Sequence, residues 1–454
     1  MSSQALSVYA PLGMLGYGFP EESLQAALAQ DVAVFAMDAG STDPGPYYLG
    51  SGLSYTSRTM VERDLDLLLP AARARNLPLI IGSAGGAGAA AHVRWAAEIL
   101  RDVARRHDLH FRLAIIFADQ DRETIKSKIL TGEIDNFEAG YLIDSSDVDS
   151  CTNIVAQMGV EPLIAALSAG ADVVLAGRAF DAALMAAIPI MQGYDPGLAL
   201  HMGKILECGS FVAIPRTSDG AIGHLAADHF LVEPADPAKR CTVDLVAAHT
   251  LYEKSDPYHL QMPGGVIDLT DTRFERHDDR TVRVSGSRFV RGTDYWLKLE
   301  GAAHTGFRSI CIAGARDPIL IAQFDEVIER VKAKVRRDLE RSIPADSYTI
   351  SFRLYGRDGV MGDLEPHPVA DPQELGIIIE VVATTQDRAD TVCALVRSAT
   401  LHMGYEGRIA TGGNLAFPYS PAEFAGPEAY EFRIYHLMRV DDPCEMFRTT
   451  WHDV

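Results

Sequence analysis

Residues 78–107 read PLIIGSAGGAGAAAHVRWAAEILRDVARRH, and this stretch decides the fold. Residues 78–82 are short and apolar throughout, the pattern of a strand buried on both faces. Residues 89–107 set Val93, Ala96, Ile99, Leu100 and Val103 on one side of a helix. Between them, 82–88 is a loop of Gly, Ser and Ala. The unit is strand, small-residue loop, helix.

The same unit recurs on both sides. VAVFAM at 32–37 reads as a strand that leaves through the polar loop 38–50. Residues 60–75 have helical spacing, and Pro70 inside them predicts a split or a kink. RLAIIFA at 112–118 is a further strand, followed by the acidic loop 119–121 and a helix at 122–131. A helix at 161–169, a strand at 172–176, the loop 177–181 and helices at 181–191 and 198–208 continue the series. Parallel strands need crossovers of this kind, so the N-terminal half reads as an α/β fold with a mostly parallel, layered sheet. Too few repeats precede residue 210 for an eight-stranded barrel.

After about residue 215 the texture changes to short β-like pieces punctuated by Gly and Asp. These include HFLVEP, VIDLTDTRFE, RTVRVSGSRF and DYWLKLEG. Strands at 306–313, 347–354 and 376–384 and helices at 318–340 and 386–403 follow. The expectation is two domains, an α/β domain over 1–215 and an α+β domain over 216–454.

Sixty-two acidic residues against 41 basic ones give a net charge of −21. Such a surface repels phosphate backbones and argues against nucleic acid as a partner. The six cysteines form no CxxC pair, so neither a zinc ribbon nor a disulfide framework is expected. The start, MSSQALSVYA, has no signal-peptide pattern, and no apolar run is long enough to span a membrane. The expected compartment is the cytoplasm, with no membrane partner and, as for many enzymes of this size, a homo-oligomer.

Ligands of open parallel sheets bind at the carboxyl ends of the strands, which selects the loops 38–50, 82–88, 119–121 and 177–181. In the first, Asp38 and Asp43 are candidate catalytic proton carriers, and Ser41 and Thr42 candidate anion ligands. An ordinary strand exit with Asx turns accounts for the same residues. In the second, Ser83, Gly85 and Gly86 suit an anion such as CoA, phosphate or a carboxylate at a helix N-terminus, though tight packing also accounts for the glycines. Asp119 belongs to the third loop. In the fourth, Arg178 is a candidate carboxylate clamp with Asp181 beside it; an Arg–Asp pair bracing the loop is the alternative. His201 is a candidate catalytic acid–base on its helix, which also carries Lys204, Glu207 and Cys208. Asn414, in the small-residue stretch 408–414, is a candidate anion ligand. His249, Tyr252, Asp256 and His259 match no standard metal spacing, so no divalent metal is expected.

Three segments resemble a known family: IGSAGG after a strand, GADVVLAGRAFDAAL with HMGKILECGS, and AHTLYEKSDPYHLQMPGGVIDLTDTRFE. Together they resemble the acyclic terpene utilisation (AtuA) family, from about residue 30 to residue 315. The chain looks like a divergent branch without the family's small C-terminal signature. The resemblance implies catabolism of acids or acyl thioesters and carries over no catalytic residue.

The functional expectation is a catabolic enzyme for a small carboxylate or acyl-CoA thioester. A lyase (hydratase or dehydratase) or isomerase using general acid–base chemistry comes first, because no nicotinamide, flavin or ATP fingerprint is present. The cofactor is left open, with CoA as part of the substrate. A hydrolase or CoA-handling enzyme is the second reading. A non-catalytic ligand-binding subunit, working with a small partner protein, is the third.

Overall fold

The computed structural model describes residues 5–137, 139–252, 255–367 and 372–454. The chain divides into two compact units, residues 1–303 with 432–454, and residues 304–431. The boundary expected near 215 falls inside the first unit. The reason is pairing: the strands Ala221–Leu225 and His229–Pro234 join the N-terminal sheet instead of starting a new one.

A ten-stranded sheet organises the first unit. Its central strands are Leu6–Ala10, Val32–Asp38, Leu79–Gly82, Val173–Ala176 and Arg112–Ile116, in that spatial order and all parallel. Antiparallel strands flank them. Ala221–Leu225, His229–Pro234, Val282–Ser285 and Arg273–Arg276 extend one side, and Thr449–Asp453 pairs with Arg112–Ile116 on the other. The sheet is therefore mixed around a parallel centre. Leu6–Ala10, which the sequence pattern does not mark as a strand, joins the parallel and antiparallel parts.

Alternation along the strands builds two cores. Tyr9, Phe35, Met37, Ile81, Ile115 and Leu175 face one side, where Glu21–Leu28, Arg58–Ala74 and Ala90–Arg106 cover them. Val8, Val34, Ile80, Ala114 and Val174 face the other, beneath Glu161–Ser168, Asp181–Met191 and Pro196–Leu206. Arg58–Ala74 continues through Pro70 without the expected break. Burial of Leu65, Leu68, Leu69 and Ala72 anchors the helix on both sides of the proline and offsets the lost hydrogen bond.

Leu79–Gly82 and Val173–Ala176 are neighbours, yet the next helices lie on opposite faces, Ala90–Arg106 on one and Asp181–Met191 on the other. This is a topological switch point, the place where open sheets of this kind bind their ligands.

The second unit is α+β, as expected. Tyr348–Tyr355, Leu375–Ala383 and residues 307–315 pair antiparallel. Val331, Val335, Val392 and Val396 of two helices bury against Ile377, Ile379 and Val381. The helix expected over 318–340 is two, Pro318–Ala322 and Phe324–Leu339, separated at Gln323.

The loops at the switch point sit backbone against backbone. A Cβ on Gly88 would lie 2.1 Å from the Arg178 nitrogen, and Gly88 has φ +69°. Gly193 also has positive φ, at +86°, but open space around it. Gly88→Ala is expected to cost about 3 kcal/mol or more, and Gly193→Ala only about 1 kcal/mol. Urea unfolding of the two variants measures the difference.

Candidate functional site

The centre of the site is a buried ion pair. Arg178 follows the strand Val173–Ala176 and is 4% exposed; Glu300 is fully buried. Arg178 Nε donates to Glu300 Oε2 at 2.7 Å and Nη2 to Oε1 at 3.5 Å. Two more donors converge on Oε1, Thr42 Oγ1 at 2.8 Å and Lys298 Nζ at 3.0 Å. Burial opposes the Glu300 charge, but Arg178 and Lys298 outweigh it and hold the carboxyl down at about 2. Lys298 in turn donates to the Tyr435 hydroxyl at 2.7 Å and lies 4.0 Å from the centre of that ring. Burial works against its charge, and Glu300 more than restores it.

Arg178 is thus a brace. Its Nη1 contacts Ser83 Oγ at 3.4 Å, the Ala179 carbonyl at 3.2 Å and Asp181 at 3.5 Å. The loop-bracing alternative holds, with Glu300 as the main partner in place of Asp181. The expected carboxylate clamp is corrected by the same contacts, because the guanidinium fork is already taken.

Asp38 ends the strand Val32–Asp38 and is 5% exposed. Its Oδ2 accepts from the Gly40 N–H at 3.1 Å. Oδ1 is buried and has no hydrogen-bond partner among the described residues. Burial, then the nearby charge of Asp181, pushes this carboxyl well above the usual range, against the pull of Arg178; Glu207 adds to the rise. Glu207 and Lys204 are both buried and form an ion pair at 2.5 Å. Four carboxylates and three cations therefore meet here, an excess of negative charge that favours the protonated form of Asp38.

The other candidates fall into different roles. Ser83 has φ +45° and accepts from the Ala179 N–H and from Arg178, so it latches two loops together. Gly85 and Gly86 make close packing possible: a Cβ on Gly85 would meet His92, and one on Gly86 would meet Tyr55. The helix behind them offers no empty N-terminus, since Asp119 Oδ1 accepts from Ala90 N–H at 3.0 Å and His92 accepts from Ala89 N–H. Asp119 is a capping group, its carboxyl raised by burial. Thr42 serves Glu300. Ser41 and the exposed Asp43 bond each other at 2.8 Å in a surface turn, outside the buried cluster.

His201 corrects the sequence expectation most sharply. Its ring is buried, with Nδ1 2.6 Å from Ser287 Oγ and Nε2 3.0 Å from Thr250 Oγ1. Phe230 and Phe274 meet it edge-on. Both nitrogens are committed to hydroxyls within the core, which suits a structural histidine. Asn414 belongs to the second unit, where its amide donates to the carbonyls of Thr400 and Met403 and ties down the end of the helix Gln386–His402.

Glu300 and Lys298 are not among the residues that the sequence singles out. The signal was available in DYWLKLEG: Leu297 and Leu299 alternate with Lys298 and Glu300, two charges on one face of a strand.

Removing one partner of a buried pair leaves the other uncompensated. Glu300→Gln is expected to lose about 3–5 kcal/mol. The ordinary value of this carboxyl is 4.5 and its folded value about 2. Its contribution is complete above the higher value and lost as pH falls toward the lower. Chemical denaturation across that acid window reads a steep decline in the wild type and a shallower one in Glu300→Gln.

No curated protein and no solved structure matches the chain. The family model described as acyclic terpene utilisation family protein AtuA matches residues 52–424. With most of its length matched, the chain belongs to the acyclic terpene utilisation (AtuA) family.

Proposed function

We propose that this protein is a catabolic enzyme, a lyase or isomerase that moves a proton next to the carboxylate or thioester carbonyl of a small substrate. One observation carries the reading: Asp38 is a carboxyl at the exit of the strand Val32–Asp38, with one oxygen fixed by Gly40 N–H and the other buried and without a hydrogen-bond partner among the described residues. A carboxyl whose pKa is raised by burial keeps its proton to higher pH than an ordinary one and can act as a general acid, and its conjugate base takes the proton back. Arg178 sets the local potential and holds the strand-end loops in register. The family membership supports a metabolic role.

Proton transfer at carbon leaves an isotopic mark. In D2O, a panel of di- and tricarboxylates and short acyl-CoA esters is expected to include a compound that gains deuterium beside its carbonyl, read by mass spectrometry. Asp38→Asn should slow that exchange by about 10²–10⁴-fold with the fold intact by circular dichroism. The raised pKa fixes the sign for an acid role: the rate falls as pH rises through the folded value of Asp38. Unchanged exchange in Asp38→Asn would sink the reading. A melting temperature unmoved by every member of the panel would count against it as well.

A further inference from the structure

A second cavity of about 400 Å³ lies in the first unit, on the Lys298 side of the ion-pair network. Its size falls within the range of small-molecule sites. One wall is the hairpin that joins His259–Met262 to Gly265–Asp268 through Pro263 and Gly264. Gly264 has φ +81°, and a Cβ there would strike the Tyr295 ring. Phe137, Trp296, Met262 and Leu437 supply apolar surface, and Gln157, Gln261 and Asp294 supply polar groups. The backbone N–H of Gln157 donates to the Lys298 carbonyl at 2.8 Å, which fixes the two residues side by side.

Charge selects the occupant. Lys298 lines the cavity, but Glu300 already neutralises it at 3.0 Å. Asp294 adds a carboxylate to the lining. Asp294 is itself paired with Arg439 at 3.5 Å, so the charges of the lining are already matched and a charged occupant would find no spare counter-charge. An uncharged molecule needs none. The Lys298 ammonium has three N–H bonds, and its contacts with Tyr435 and Glu300 use two. The third suits a carbonyl oxygen.

We infer that this cavity is a binding site for an uncharged carbonyl compound with a flat or branched apolar body, its oxygen on Lys298 and its body against Trp296 and Phe137. The site is separate from Asp38, and its test reads no proton transfer, so each reading can fail alone.

Phenylacetamide is the probe and phenylacetate its charged counterpart. Titrating the full chain with phenylacetamide should change tryptophan emission saturably in the millimolar range. Trp296→Phe should remove most of that change, leaving only what Trp95 and Trp451 contribute. Phenylacetate should bind at least tenfold more weakly. Gln261→Trp, at an exposed lining position, fills the cavity from its rim and should abolish phenylacetamide binding measured by calorimetry. The inference is overturned by no saturable response to phenylacetamide, by equal affinity for the two probes, or by unchanged binding in Gln261→Trp.

Discussion

The bond between Arg178 and Glu300 is the constraint on which the rest of the site depends. Each group alone, stripped of water at that depth, would cost several kcal/mol. Together, with Thr42 and Lys298 completing the Glu300 shell, they fix three chain segments distant in sequence. The loop after Val32–Asp38, the loop after Val173–Ala176 and residues 298–300 can share this space only with both charges present. Buried pairs of this kind contribute less to net stability than to uniqueness, because only one arrangement satisfies every donor and acceptor.

That uniqueness reaches Asp38 through the field of Arg178 and the backbone of the same loop. A cation and two further carboxylates surround it at close quarters. The protein thus makes one acidic group harder to ionise where neighbouring charges are nearly balanced. His201 differs, since both its ring nitrogens meet hydroxyl groups. Both residues are acid–base candidates in the sequence, and burial alone does not separate them. What separates them is whether the buried polar atom has a partner.

The parallel strands and their exits are legible in the sequence because a short apolar run set between helical patterns fits a doubly buried strand and little else. Leu6–Ala10 is not, since SVYAPLG mixes polar and apolar residues and its pairing is with Val32–Asp38 and Ala221–Leu225, the second of them some two hundred residues away. The four loops at the strand ends are legible as a group, but their division of labour is not. Ser83, Gly85 and Gly86 look like anion ligands and Asp119 like a substrate contact when read locally. They turn inward because the partners that occupy them, Ala179, His92, Tyr55 and Ala90, arrive from other turns and loops. The role of Glu300 is hidden for the same reason: DYWLKLEG shows two charges on one strand face, but their function is defined by Arg178, on a different element more than a hundred residues earlier.

The strand Thr449–Asp453 closes one side of the large sheet against Arg112–Ile116. It is the last of the sheet's strands to leave the ribosome. Until then Leu113-Ala-Ile-Ile116 presents open amides and carbonyls beside a greasy surface, ready to pair with any passing extended peptide. A protein otherwise assembled from local strand–helix units thus keeps one long-range pairing, across more than three hundred residues, to complete the sheet.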